Sequence, residues 1–274
     1  MNHKKGFTLL EVALFLALSG LLVVGIISGT SRSIAKQRYN NASESFADFL
    51  KGLYSQVFYT QHSVADYGGR SELAIYGKLI TFGEDDAEPS KIHIYTVIGN
   101  TIPLNEVGDL GNTSPLKALY YANADVFVEG ATINELTYLP DWGSTIEDQT
   151  GGTLKKSLLI IRSPLSGDIF SYTSPVVVPV QQKIAEMSAS DLLTNYLPVF
   201  SGVSHTLEDD AINLERDDRI FKAQDLDFCL DSEDRWAAGN YRRNIRVIAN
   251  GHNSSAVKTI LDSSEGEEGY RCEE

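Results

Sequence analysis

The chain has 274 residues, 42% of them hydrophobic, which is enough apolar material for a sizeable core. Its formal net charge is −14 at pH 7, so a strongly acidic surface excludes general, non-specific binding to nucleic acid. The five histidines are scattered, and there is no His-Glu-x-x-His motif, paired-cysteine site, phosphate-binding glycine loop or Gly-x-Ser-x-Gly motif. We therefore predict no catalytic residue, no metal site and no enzyme activity.

The first predicted element is an apolar helix that follows a short basic leader ending at Gly6. The run FTLLEVALFLALSGLLVVGIIS extends from Phe7 to Ser28, and Glu11 is its one charged residue. As a helix it is long enough to cross the ~30 Å hydrocarbon core of a bilayer. A secretory signal peptide has only about 7–15 apolar residues before a small-residue cleavage site, and no such site closes this run. A plain signal anchor would leave Glu11 unexplained, because a carboxylate in lipid needs a partner.

The string KKGFTLLEV resembles the processing site of type IV pilins and type II secretion pseudopilins. The resemblance implies that a membrane-embedded prepilin peptidase cuts after Gly6 and that Phe7 becomes N-methylated. It also implies that Glu11 meets the N-terminal amine of a neighbouring subunit during assembly, because paired charges cost less in lipid than isolated ones. The alternative is that Glu11 reaches toward the cytoplasmic headgroups.

Two further features concern the membrane segment, residues 7–29. Gly25 and Gly29 form a Gly-x-x-x-Gly pair, which lets helices approach closely in lipid, and we predict that they contribute to assembly. Basic residues lie on both sides of the segment, so their count does not set its orientation. The resemblance implies a single pass with a cytoplasmic N-terminus and an extracytoplasmic head, which becomes part of an extracellular filament or pseudopilus after assembly.

The helical pattern continues beyond the apolar run. Apolar residues recur at steps of three and four with polar residues between them, an amphipathic stripe that predicts packing on the chain's own head. The stripe consists of Tyr39, Ala42, Phe46, Phe49, Leu50, Leu53 and Val57. The predicted organisation is therefore a leader at 1–6, a helix at 7–60 and a head domain at 61–274.

The sequence of the head predicts a series of strands bounded by turn residues. The predicted strands are Glu72–Phe82, Lys91–Ile98, Ala124–Glu129, Glu135–Leu139, Ser157–Arg162, Asp168–Thr173, Asp227–Leu230 and Asn244–Ala249. One short helix is predicted at Ala189–Tyr196, before Pro198. A long helix followed by strands predicts an α+β, type IV pilin-like fold, with the helix packed on a mostly antiparallel sheet.

The two cysteines, Cys229 and Cys272, predict one disulfide, because an even count suits an oxidising compartment. The bridge would close a loop of about 44 residues, worth roughly 4 kcal/mol in the chain-entropy model. The alternative is two free thiols.

Two acidic runs, Gly83–Glu88 and Asp225–Asp234, offer oxygen ligands to calcium, which some secretion pseudopilins bind. Neither has EF-hand spacing, and acidic runs are usually solvated loops. We predict no cofactor, with calcium as the alternative.

Four arginines near the C-terminus form the one basic cluster, and Trp236 and Tyr241 flank them. They are Arg235, Arg242, Arg243 and Arg246. Aromatic side chains among arginines can hold a nucleic-acid strand. The interpretation that we favour is instead a set of salt bridges to the Asp231–Asp234 run.

The predicted function is that of a structural subunit of a type IV pilus or related filament. The stretch from Phe228 to Val257 also loosely resembles the strand pair that ends minor pseudopilins of the GspH and FimT type, which favours a minor subunit. The alternatives are a tip-located subunit for adhesion or DNA uptake and a pseudopilin of a type II secretion system. The implied partners are other subunits, prepilin peptidase, an inner-membrane assembly platform and the membrane.

Overall fold

The structure, a computed structural model, describes residues 8–59, 73–100, 115, 119, 125–127, 137–163, 166–175, 177, 221–232, 243–249, 251–261 and 272. Within these residues, a long helix precedes ten strands. The helix is α1 (Leu9–Tyr59), and the strands are β1 (Leu73–Phe82), β2 (Ile92–Asn100), β3 (Asp125–Phe127), β4 (Thr137–Tyr138), β5 (Ser144–Glu147), β6 (Lys156–Arg162), β7 (Ile169–Ser174), β8 (Leu226–Ser232), β9 (Arg243–Val247) and β10 (Val257–Leu261). Short 3-10 turns precede β5 and β10, at Asp141–Gly143 and Ser254–Ala256.

The predicted long helix is confirmed as one uninterrupted element of 51 residues, and no proline lies within it. Its first half is apolar and exposed, whereas its second half buries one face. That face contains the predicted stripe, except that Phe49 is partly buried, at the margin of the core. Ser43, Ala47 and Tyr54 lie on the buried face as well. The amphipathic period therefore places one side of the helix in the head and leaves the other in solvent.

The strands form two antiparallel sheets. The first has the order β3-β2-β1-β6-β7, and β4 also pairs with β2. The second has the order β10-β9-β8-β5. The antiparallel character is as predicted, but the division into two sheets is not a feature of the predicted fold. It arises because β5, which lies between β4 and β6 in sequence, pairs with the distant β8.

The main core lies where both sheets meet the second half of α1. Phe46 of α1 contacts Phe228 of β8 edge-to-face, with 5.4 Å between ring centroids. Phe82 of β1 packs against the same Phe228 ring at 4.9 Å. Each sheet thus buries one apolar face around the helix, and this arrangement is what holds α1 to the head. A second buried cluster, which includes Leu79, Tyr95 and Leu159, covers the opposite face of the first sheet.

Each of the eight predicted strands has a counterpart with shifted ends; the counterparts of Ala124–Glu129 and Glu135–Leu139 are Asp125–Phe127 and Thr137–Tyr138, and the predicted residues just outside Asp125–Phe127 and before Thr137 are not among the described residues. The strands β5 and β10 were missed. The predicted helix at Ala189–Tyr196 lies outside the described residues.

Candidate assembly segment and its junction with the head

Helix α1 begins with a capping box made by Thr8 and Glu11. The Thr8 backbone N–H and the Thr8 hydroxyl each donate to Glu11 Oε2 at 2.9 Å. In return, the Glu11 backbone N–H donates to Thr8 Oγ1 at 3.3 Å. This reciprocal arrangement satisfies backbone donors that a helix start leaves unpaired. The predicted processing residues, Gly6 and Phe7, lie outside the described residues, immediately before this cap.

The segment after the cap is apolar and uncovered. Large side chains from Leu9 to Ile27 are roughly half to nine-tenths exposed. By length and composition, α1 could cross a membrane. Gly25 and Gly29, the predicted assembly glycines, are exposed, and an added Cβ at either would have no neighbour within 4 Å. Their surface is therefore open to another helix.

The far end of this segment is compatible with lipid as far as Ser31. The Thr30 hydroxyl donates to the Ile26 carbonyl oxygen at 2.9 Å, and the Ser31 hydroxyl donates to the Ile27 carbonyl oxygen at 2.8 Å. Hydroxyls that bond back to their own helix need no partner from water. The next charged residue after Glu11 is Arg32. We call the residues between the two the apolar span.

The helix is attached to the head at Tyr39 and Asn40. The Tyr39 hydroxyl donates to the Leu230 carbonyl oxygen at 2.7 Å and accepts from the Arg243 backbone N–H at 2.5 Å. The Arg243 guanidinium donates to Asn40 Oδ1 at 2.8 Å. These bonds join α1 to β8 and β9 next to the point where the helix leaves the head.

A second contact at this junction is made by Trp142. Its ring lies against the Arg38 guanidinium, with 5.0 Å between Arg38 Cζ and the ring centroid, a cation–π contact. The backbone of Trp142 is in the left-handed region, with φ 59° and ψ 32°. Sequence reasoning missed this residue, although the flanking Pro140, Asp141 and Gly143 are turn signals.

The predicted arginine cluster does not form a free basic strip where the structure describes it. Arg246 makes two bonds to Asp227, at 2.7 and 2.8 Å, and lies 3.7 Å from Asp225. Arg243 contacts Asn40, as described above. The prediction placed the partners of the cluster in the Asp231–Asp234 run, whereas the bonds described for Arg246 reach Asp227 and Asp225, upstream of that run. Arg235 and Arg242 lie outside the described residues.

The first acidic run also pairs with lysines. Asp86 accepts from Lys155 Nζ at 2.7 Å, and Glu88 accepts from Lys91 Nζ at 2.8 Å. The hydrogen bond from Lys155 lowers the pKa of Asp86, and the Glu88 carboxylate raises the pKa of Lys91. Among the described residues, no group of three His, Cys, Asp or Glu side chains is placed to hold a metal ion.

The predicted disulfide is present. Cys229 in β8 and Cys272 are bonded, and their Cα atoms lie 5.8 Å apart. Both cysteines are buried, so the bond attaches the C-terminal end of the chain to the second sheet within the core.

An apolar N-terminal helix that continues into an antiparallel β head defines an α+β, pilin-like architecture. Residues 1–27 match the family described as the prokaryotic N-terminal methylation motif. Neither the comparison with curated proteins nor the comparison with solved structures returned a match.

The matched motif is the signal of type IV pilins and pseudopilins. The chain thus carries the N-terminal processing motif of pilin-like and pseudopilin proteins, and that motif points to a structural role. The general partners of that class are other pilin subunits and prepilin peptidase.

Proposed function

We propose that the chain is a minor structural subunit of a type IV pilus or a related filament. Prepilin peptidase cuts after Gly6, and Phe7 is then N-methylated. Residues 7–29 hold the subunit in the membrane until an assembly platform adds it to the filament. The observation that carries this proposal is the division of α1, whose second half is buried in the head while its first half exposes an uncovered apolar surface.

We assign to Glu11 the role of aligning each subunit with its neighbour during assembly. Both bonds from Thr8 reach Oε2, and among the described residues no bond reaches Oε1. The capping box therefore orients the carboxylate and leaves an oxygen for the amine of a neighbouring subunit. Glu11 lies at the end of the apolar span, where an unpaired carboxylate at the edge of the hydrocarbon is costly, so pairing with that amine favours correctly registered assembly.

Gly25 and Gly29 supply a place for close helix approach in the same segment. The open space around both positions supports this role, because small residues allow helix backbones to come together in lipid. The large head at 61–274 supports a minor subunit, since bulk favours low copy number. The engaged guanidinium groups of Arg243 and Arg246 give no support to a DNA-uptake role.

Two measurements test the proposal. Mass spectrometry of assembled material should find an N-terminus at Phe7 carrying one methyl group. Glu11→Gln should retain processing and membrane insertion but lose incorporation into filaments. Glu44→Gln is the matched control, because Glu44 is an exposed carboxylate on the same helix, and it should leave incorporation unchanged. An intact Met1 leader in assembled filaments, or normal incorporation of Glu11→Gln, would contradict the proposal.

A further inference from the structure

The charges that bracket the apolar span fix where the head begins relative to a bilayer. Glu11 and Arg32 enclose residues 12–31, all uncharged. At 1.5 Å per residue this stretch is about 30 Å long, which equals the thickness of the hydrocarbon core. With Glu11 at one boundary, Arg32 lies at the other. This placement rests on the proposed function, in which the span is membrane-held before assembly.

Arg38 then lies at the level of the lipid headgroups. It follows Arg32 by six residues, or about 9 Å along the helix. The headgroup region adds roughly 5–8 Å to each side of the hydrocarbon core. Long helical side chains point back toward the helix N-terminus, which brings the Arg38 guanidinium closer to the membrane. Ile34, which is 49% exposed, shares this face of the helix.

The head sends one segment along the same face toward the membrane. Tyr138 stacks on Phe49, with ring centroids 4.0 Å apart, and its hydroxyl lies 3.4 Å from Ser45 Oγ. Four residues later, Trp142 has reached Arg38. Because Ser45 lies seven residues beyond Arg38, the segment descends by about 10 Å. Trp142 is therefore closer to the membrane than Tyr138.

Trp142 is held there at a conformational cost. It is 59% exposed, and its positive φ is a backbone state that costs a residue other than glycine of order 1–3 kcal/mol. Core burial does not explain a strained, exposed tryptophan. A lipid interface does, since tryptophan is enriched at headgroup level.

The positive charge near Trp142 also favours contact with a lipid surface. Arg32, Lys36 and Arg38 are all exposed within one short stretch of a chain whose formal net charge is −14. Basic residues next to a membrane span attract anionic headgroups.

We propose that Ile34, Arg38 and Trp142 form a juxtamembrane surface that binds anionic lipid headgroups, and that Arg32 adds positive charge at the membrane boundary on another side of the helix. Binding would orient the head on the bilayer before the subunit is extracted into a filament.

Tryptophan fluorescence of the full chain in lipid vesicles tests this. The chain has two tryptophans, so Trp236→Phe leaves Trp142 as the reporter. Vesicles of phosphatidylcholine and phosphatidylglycerol, carrying a spin label at headgroup level, are compared with vesicles of phosphatidylcholine alone. We expect quenching by the label, a blue shift and a loss of iodide quenching, all stronger in the anionic vesicles and weakened by salt.

The matched control moves the reporter along the same segment. Leu139→Trp is made together with Trp142→Phe and Trp236→Phe. Leu139 is as exposed as Trp142, at 61%, but it directly follows Tyr138, at the start of the descending segment and therefore farther from the membrane than Trp142. We expect iodide to reach this reporter equally well in vesicles and in detergent.

Three results would overturn the proposal. If protease protection shows that the helix is inserted but the label does not quench Trp142, the headgroup contact is wrong and the proposed function stands. If Trp142 is shielded only as protein concentration rises, its partner is a second copy of the chain. If the helix does not insert, the membrane-held subunit fails as well.

Discussion

The Tyr39 hydroxyl and the Leu230 carbonyl oxygen, 191 positions apart in sequence, are joined by a buried hydrogen bond of 2.7 Å. The same hydroxyl accepts from the Arg243 backbone N–H. One phenol oxygen therefore links α1 to two neighbouring strands of the second sheet. Tyr39 is adjacent to Arg38, where the helix leaves the head. The bonds of the Tyr39 hydroxyl therefore fix the direction in which the membrane segment points.

Tyr39→Phe should lower the free energy of unfolding by about 1–3 kcal/mol. The substitution keeps the ring in the core but leaves the buried Leu230 carbonyl and the partly buried Arg243 N–H without this hydroxyl partner. Urea unfolding of the full chain in detergent micelles, followed by near-UV circular dichroism, measures the change.

Tyr54→Phe is the matched control for that measurement. Tyr54 lies on the same helix and is equally buried, but its hydroxyl has no hydrogen bond of normal geometry among the described residues. Ser171 beside it already donates to the Ile248 carbonyl oxygen and accepts from the Gly251 N–H. Removal of a buried hydroxyl that is not paired should be neutral or slightly stabilising. Equal losses for the two variants would show that the Tyr39 bonds contribute nothing specific.

Alkaline pH should destabilise the fold through the buried tyrosines. Burial raises the pKa of Tyr54 and of Tyr76 to about 12. Below the ordinary tyrosine pKa of about 10, the folded and unfolded chains both keep these protons, so the contribution to stability is fully present. Between pH about 10 and 12 the unfolded chain releases them and the folded chain does not, so stability falls as pH rises.

The limiting slope for one such tyrosine is about 1.4 kcal/mol per pH unit. Unfolding midpoints measured across this window should decline less steeply for Tyr54→Phe than for the native chain. A slope that the substitution leaves unchanged would exclude ionisation of Tyr54 as a cause.

The sequence was most informative where one spacing of apolar residues extends through a whole element. The apolar run and the three- and four-residue stripe from Tyr39 to Val57 predicted both halves of α1, because one helix presents a continuous pattern. The capping box was not predicted, although Thr8 and Glu11 have its spacing, because the resemblance implies a role for Glu11 between subunits and implies nothing about its local bonds.

The two-sheet arrangement was harder to predict because it depends on distant pairings. Strand β5 has only four residues, and although buried and partly buried residues alternate along all of it, four residues are too few to mark a strand in the sequence. It joins the second sheet through β8, some 80 positions later. Likewise, Arg246 and Asp227 were assigned to separate candidate sites, a nucleic-acid strip and a calcium cluster. The neighbouring strands β8 and β9 place these two residues opposite each other, and the Arg246 guanidinium donates to the Asp227 carboxylate.

Loss of the Cys229–Cys272 bond should destabilise the head by roughly 4 kcal/mol, because the unfolded chain regains the entropy of a loop of about 44 residues. Cys229→Ala with Cys272→Ala tests this by urea unfolding, and a reductant should lower the stability of the native chain to the same level. The variant itself is the control, since the reductant should not affect it. An effect of the reductant on the variant would show that the loss does not come from this bond.

Two glycines should respond to alanine with opposite signs. At Gly77 in β1, an added Cβ would lie 2.1 Å from the Ile160 carbonyl oxygen and 2.8 Å from Ile161 Cα. Both are backbone atoms of the neighbouring strand β6, so the strands must separate, and Gly77→Ala should cost about 1–3 kcal/mol or more. At Gly52 in α1, nothing lies within 4 Å, and alanine should stabilise the helix by roughly 0.5–1 kcal/mol. Unfolding of both variants under the same conditions decides the matter. A stabilising Gly77→Ala would mean that β1 and β6 are not as closely paired as the register requires.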